Sequence, residues 1–200
     1  MIPKNLRCLY LHGFRSGPSS IKAQQTLSYF AEQDMAQNLH FPQLPPEPKR
    51  AIDEAQFLYE QMIDEVGQEN CLVIGSSLGG YYATYLVEHF GGKSALINPA
   101  VRPYELLKDY LGENENMYNG EKFVVTEEYI QELKDIEVSE LQYPRHHLLL
   151  LKTHDETLDA MQAAQKYRNG PCYIEYGGDH SYDDYPKRLP SIINFAKTPV

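Results

Sequence analysis

Short apolar runs alternate along this chain with longer stretches in which apolar residues return every third or fourth position. The first run, Arg7-Cys8-Leu9-Tyr10-Leu11, reads as a buried strand opening into the loop His12-Gly13-Phe14-Arg15-Ser16-Gly17. Pro18-Ser19-Ser20 starts a helix that extends to about Gln33. Asn38 to Phe41 is a weak second strand, closed by a proline-dense segment from Pro42 to Pro48 that forbids regular structure. From Arg50 to about Val66 a helix places Ile52, Ala55, Leu58, Tyr59, Met62 and Val66 on one face, and Gly67 ends it.

Cys71-Leu72-Val73-Ile74 is the next strand, running through Gly75-Ser76-Ser77-Leu78-Gly79 into a helix from Tyr81 to Phe90. Ser94 to Ile97 forms a fourth strand that leads to Asn98-Pro99. Residues 100–143 then break the rhythm, with helix-like pieces near Tyr104–Leu111 and Thr126–Leu133 and many acidic residues. Lying on the strand-end side, this insertion reads either as a helical cap that gates a site or as a solvated surface excursion. His147 to Lys152 resumes the pattern, followed by Thr153-His154-Asp155-Glu156 and a helix from Leu158 to about Tyr167. Pro171 to Tyr176 is the last strand, Gly177-Gly178-Asp179-His180 its exit loop, and a helix carrying Leu189, Ile192, Ile193 and Phe195 closes the chain. Strands alternating with helices imply parallel pairing by right-handed crossovers, and continuous apolar runs fit strands covered on both faces. The expected class is α/β: one domain built on a doubly wound, mainly parallel sheet of about six strands.

Composition narrows the function. A formal charge of −10 without a basic cluster argues against a nucleic-acid partner. The first apolar run is too short for a signal peptide or membrane span. Cys8, Cys71 and Cys172 each fall in a strand-like run and are odd in number, so buried free thiols and a reducing cytoplasm are expected. No Cys-x-x-Cys or His-Glu-x-x-His spacing asks for a metal, and no cofactor is called for. The pattern says nothing of oligomeric state.

Candidate chemistry centres on Gly75-Ser76-Ser77-Leu78-Gly79. A strand, Gly-x-Ser-x-Gly and a helix in succession are the layout of a nucleophile elbow, which lifts Ser77 into the open; an ordinary βα turn with Ser77 as helix cap is the alternative. A serine nucleophile needs a base, and the base needs an acid to fix its tautomer. Ser77, Asp155 and His180 supply nucleophile, acid and base in the order of an α/β-hydrolase. Asp155 follows a strong strand closely, with Glu156 second to it as acid and helix N-capping its alternative role. His40 and His89 lack catalytic neighbours, and His146 and His147 open a strand from the wrong end. His154 sits where the acid belongs, while His12 comes too early and more plausibly orders the first loop. His180, after two glycines at the exit of the last strand, leads as base, a surface histidine being its plainer reading. The backbone N–H groups of Phe14 and Leu78 are the expected oxyanion hole.

These stretches resemble a known family. His12-Gly13-Phe14, Gly75-Ser76-Ser77-Leu78-Gly79-Gly80, Thr153-His154-Asp155-Glu156 and Gly177-Gly178-Asp179-His180 are together similar to the α/β-hydrolases, and more narrowly to the small bacterial esterases of the YqiA/YcfP type, the UPF0227 group. The resemblance implies hydrolysis of a small-molecule carboxylic ester or thioester with Ser77, Asp155 and His180 as triad. Lys152-Thr153-His154-Asp155 departs from it in lacking the glycine that many α/β-hydrolases carry before the acid. An acyl-CoA thioesterase or a triad-based carbon–carbon hydrolase or lyase would keep the same fold, and a non-catalytic binding protein is the remaining alternative.

Overall fold

A computed structural model of the protein describes residues 1–199. Its strands and helices, in chain order, are β1 (Arg7–Leu11), α1 (Ile21–Ala31), β2 (Leu39–His40), α2 (Pro48–Val66), β3 (Cys71–Ser76), α3 (Leu78–Phe90), β4 (Lys93–Ile97), α4 (Pro103–Leu106), β5 (Gly112–Glu115), β6 (Lys122–Val125), α5 (Glu127–Asp135), β7 (His147–Lys152), α6 (Ala160–Lys166), β8 (Cys172–Glu175) and α7 (Leu189–Ala196). The main sheet is six-stranded, in the order β2-β1-β3-β4-β7-β8, and every pairing in it is parallel.

Strand alternation divides the core between the two faces of this sheet. Leu9, Val73, Leu96, Leu149 and Leu151 point to one face and pack with α2, α3 and α5. Tyr10, Leu72, Ile74, Ala95, Ile97, Leu148 and Leu150 point to the other and pack with α1 and α7. Both faces being covered, the four central strands are buried along nearly their whole length and apolar in their middles, with polar residues such as Arg7, Lys93, His147 and Lys152 at their ends and no polar-out alternation. Register brings Leu11 opposite Gly75, Ser76 opposite Ile97 and Ile97 opposite Leu150. The loops after β1, β3, β4 and β7 therefore leave one edge of the sheet side by side, where ligands of open α/β sheets bind.

Three local features differ from the sequence expectation. Cys8 and Cys71 are buried free thiols, but Cys172 is exposed. It lies on β8, the edge strand, which has one neighbour and leaves Tyr173 and Ile174 exposed as well. The insertion holds more than helices: β5 and β6 form an antiparallel hairpin between a 3₁₀ turn, Leu107–Tyr110, and α5. The helical part docks through buried Tyr129, Ile130 and Leu133, and the Tyr81 hydroxyl donates to the Leu133 carbonyl at 2.7 Å. Finally, α6 begins at Ala160, later than Leu158, because Asp159 Oδ1 accepts the Met161 N–H and sets the cap there. Among the described residues no helix is long and apolar enough to cross a membrane.

Candidate active site

Ser77 sits between β3 and α3 with φ 55° and ψ −119°, a conformation that strains any residue with a β-carbon. Its neighbours hold it there. The Ser77 N–H donates to the Ile97 carbonyl at 3.0 Å, and its own carbonyl accepts from Gly80 N at 2.9 Å and Ala100 N at 3.0 Å. The two flanking glycines are sterically required. A β-carbon on Gly75 would lie 2.4 Å from the Gly79 carbonyl oxygen, and one on Gly79 would lie 2.0 Å from that of Leu11. The turn is that tight because α3 starts directly against β1 and β3.

The loop after β1 runs beside Ser77: a β-carbon on Gly13 would come within 3.6 Å of Ser77 Oγ. His12 is buried beneath that loop and accepts the Leu44 N–H at Nε2, 3.0 Å away. Nε2 being an acceptor, the proton is on Nδ1, which donates to the Gly13 carbonyl at 2.8 Å. Burial lowers the His12 pKa, against the smaller opposing effect of the Gly13 hydrogen bond, so this neutral tautomer persists. His12 thus ties the proline-rich segment to the first loop. Beyond it, neither the Phe14 nor the Leu78 N–H has a protein acceptor among the described residues; Leu78 opens α3, where first-turn N–H groups are free by geometry.

His180 and Asp155 meet at the far side of the sheet edge. His180 Nδ1 lies 2.7 Å from Asp155 Oδ2. Asp155 Oδ1 accepts from Thr157 N and Leu158 N, both at 2.8 Å, so one carboxylate holds the imidazole and closes its own loop. Burial works against ionisation of Asp155, but the His180 hydrogen bond and charge and the two N–H donors outweigh it and lower its pKa. Glu156, the second candidate acid, accepts the His180 backbone N–H instead, at 3.0 Å. Ser77 and His180 line one cavity of about 270 Å³ together with Phe14, Lys22, Tyr118 and Asp183.

Asn98 belongs to this framework although its role is invisible in the sequence. Buried at the end of β4, it donates to the carbonyls of Asp179 and His180 at 3.1 and 3.3 Å and accepts the Lys152 N–H at 2.9 Å. Its partners are 54 to 82 residues away, and only its position just after an apolar strand hints at them. Lys22 adds a second tether, donating to the Ser181 carbonyl at 2.9 Å. His147 is placed elsewhere: it is buried between Ser94 Oγ at 2.7 Å and Glu88 Oε1 at 2.8 Å. No cluster of three or more His, Cys, Asp or Glu side chains among the described residues is arranged to hold a metal ion.

The sheet, its flanking helices and the strand-end site define an α/β-hydrolase fold, and solved structures of that shape match over nearly the whole chain. A hydrolase from Agrobacterium vitis, described as putative, has a TM-score of 0.67 at 17% identity, covering 96% of this chain and 91% of its own. Est1E from Butyrivibrio proteoclasticus gives 0.67 at 16% identity over 96% and 88%. The esterase domain of a Rhodothermus marinus protein gives 0.66 at 18% over 98% and 89%. Residues 7–197 match the family described as "Uncharacterised protein family (UPF0227)", and the chain belongs to that family.

Proposed function

We propose that this protein is a serine hydrolase that cleaves carboxylic esters of small or medium acyl groups through an acyl-enzyme on Ser77. The observation that carries the reading is the His180–Asp155 contact of 2.7 Å at a cavity shared with a strained, elbow-borne serine. With Nδ1–H given to Asp155, His180 keeps Nε2 free to take the Ser77 proton as Oγ attacks the acyl carbonyl. The Phe14 and Leu78 N–H groups receive the oxyanion, each such donor being worth roughly 3 kcal/mol in the transition state. The imidazolium returns its proton to the departing alcohol, and a water deprotonated by His180 then releases the acid and regenerates Ser77. The same chemistry would serve a thioester.

The Rhodothermus marinus neighbour carries esterase in its name and the Agrobacterium vitis one hydrolase, which favours this class over a binding protein on the same fold. Three free thiols, one of them exposed, further support a reducing, cytoplasmic setting, which recovery of the protein in a secreted fraction would contradict. The catalytic reading is tested by turnover of a p-nitrophenyl acylate series, with Ser77→Ala as control. Normal turnover by Ser77→Ala would remove Ser77 from the reaction.

A further inference from the structure

We propose that the β5–β6 hairpin is a fixed brace for the oxyanion loop, and that Asn116 at its tip is the residue that positions Phe14. This rests on the serine-hydrolase reading. It also gives the insertion a definite part in that reaction, different from a lid that lifts away.

The hairpin tip and the loop after β1 are joined at Arg15 and Ser16. Asn116 Nδ2 donates to the Ser16 carbonyl at 2.7 Å, Met117 N donates to the Arg15 carbonyl at 2.9 Å, and Arg15 Nε donates to the Glu115 carbonyl at 2.9 Å. The Phe14 ring is held by the same insertion, edge-on to Tyr110 with centroids 5.3 Å apart and to Phe123 at 5.8 Å. The residue whose N–H faces the proposed oxyanion is therefore gripped through its side chain and through the two residues after it.

Two further features argue that these contacts hold the loop. Arg15 has φ 56°, a left-handed conformation that a non-glycine residue keeps only where its surroundings impose it. The hairpin bonds fall on that strained residue and on the one after it. Asn116, in addition, is 6% exposed while the adjacent Met117 is 68% exposed. Its Oδ1 closes the hairpin turn by accepting Tyr118 N at 2.9 Å and Asn119 N at 3.2 Å. Acceptor and donor thus have separate tasks: Oδ1 shapes the turn, and Nδ2 reaches the loop.

That division supplies the test. Asn116→Asp keeps an oxygen for the two turn N–H groups and removes the donor to Ser16. Phe123→Leu independently loosens the grip on the Phe14 ring. Steady-state hydrolysis of a small p-nitrophenyl ester, the rate of Ser77 labelling by a fluorophosphonate and thermal unfolding are measured for both variants. Since losing one oxyanion donor costs about 10²–10³-fold in kcat, a displaced one is expected to cost roughly 10- to 100-fold. KM should stay within about two-fold and labelling should slow in parallel, with the fold intact. Unchanged kcat in both variants overturns the brace, as does a rise in kcat, the sign of a loosened lid. Parallel changes in kcat and KM, or unfolding of both variants, also count against it. A wild-type protein that neither turns over ester nor takes the label overturns the hydrolase reading itself, whereas an active wild type with unimpaired variants overturns the brace alone.

Discussion

Asp155 faces two ways: Oδ2 lies 2.7 Å from His180 Nδ1 while Oδ1 accepts the N–H groups of Thr157 and Leu158. The two roles separate on substitution. Asp155→Asn can keep the loop bonds through its amide oxygen but presents an N–H to His180 Nδ1, favouring the tautomer that protonates Nε2. A loss of about 10⁴-fold in kcat is expected with a Tm close to wild type, since the tautomer error alone has that size in a serine protease triad. Asp155→Ala should lose similar activity and, in addition, about 1 kcal/mol of stability with the loop cap. Ester hydrolysis and thermal melts on both variants check this, and near-normal kcat in Asp155→Asn would reassign the acid.

Asn98→Ala tests how the His180 loop is held. The substitution removes the donors to the Asp179 and His180 carbonyls and leaves the buried Lys152 N–H without an acceptor. Stability should fall by about 2 kcal/mol for the unpaired groups. kcat should fall roughly ten-fold as His180 loses its register. Chemical unfolding and kinetics on one preparation report both effects.

Gly79→Ala probes the elbow's tightness. Its β-carbon would sit 2.0 Å from the Leu11 carbonyl oxygen and 2.7 Å from that of His12, backbone atoms at the end of β1 and the start of the loop after it. Overpacking of that kind costs about 3 kcal/mol or more, or a Tm drop on the order of 10 °C. Gly112→Ala, with nothing within 4 Å of the added carbon but φ at 102°, should cost only local strain and serves as comparison. Equal melting temperatures for the two variants would contradict the packing account.

Two buried histidines set the acid side of stability. Burial lowers the pKa of His12 and of His147, in the second case against the opposing pull of Glu88. In the unfolded chain each takes up a proton near pH 6.5, whereas in the folded protein each does so only at lower pH. The unfolded state then binds more protons below about 6.5, so stability is full above that pH and declines beneath it, by at most about 1.4 kcal/mol per pH unit per histidine. Melting should be lower at pH 5.5 than at 7.5, and His147→Gln should show a shallower slope. An unchanged slope in His147→Gln would exclude His147 as a source.

Much of the sheet is legible in the chain because β1, β3, β4 and β7 are covered on both faces and carry continuous apolar runs through their middles. β8 carries an apolar pattern for a different reason: its residues extend from the edge, and Cys172 is exposed where its neighbours in sequence suggest burial. The β5–β6 hairpin was hidden because its strands are four residues each and β5 is Gly-Glu-Asn-Glu, a sequence with no apolar signal. At the candidate site, Ser77, Asp155 and His180 stand out in the sequence because each ends or follows a strand next to glycine or acidic residues, and the structure places Asp155 against His180 and lines one cavity with His180 and Ser77. Asn98 and Asn116 could not, since their meaning lies in hydrogen bonds to carbonyls 81 and 100 residues away.

The central claim is a covalent acyl-enzyme on Ser77, and intact mass after rapid quenching of a reaction with an activated ester reads it directly. The account predicts an adduct of one acyl mass that maps to the peptide containing Ser77, builds up in His180→Ala no faster than in wild type, and is absent from Ser77→Ala. Hydrolysis with no adduct at any quench time, or an adduct that persists in Ser77→Ala, would contradict it.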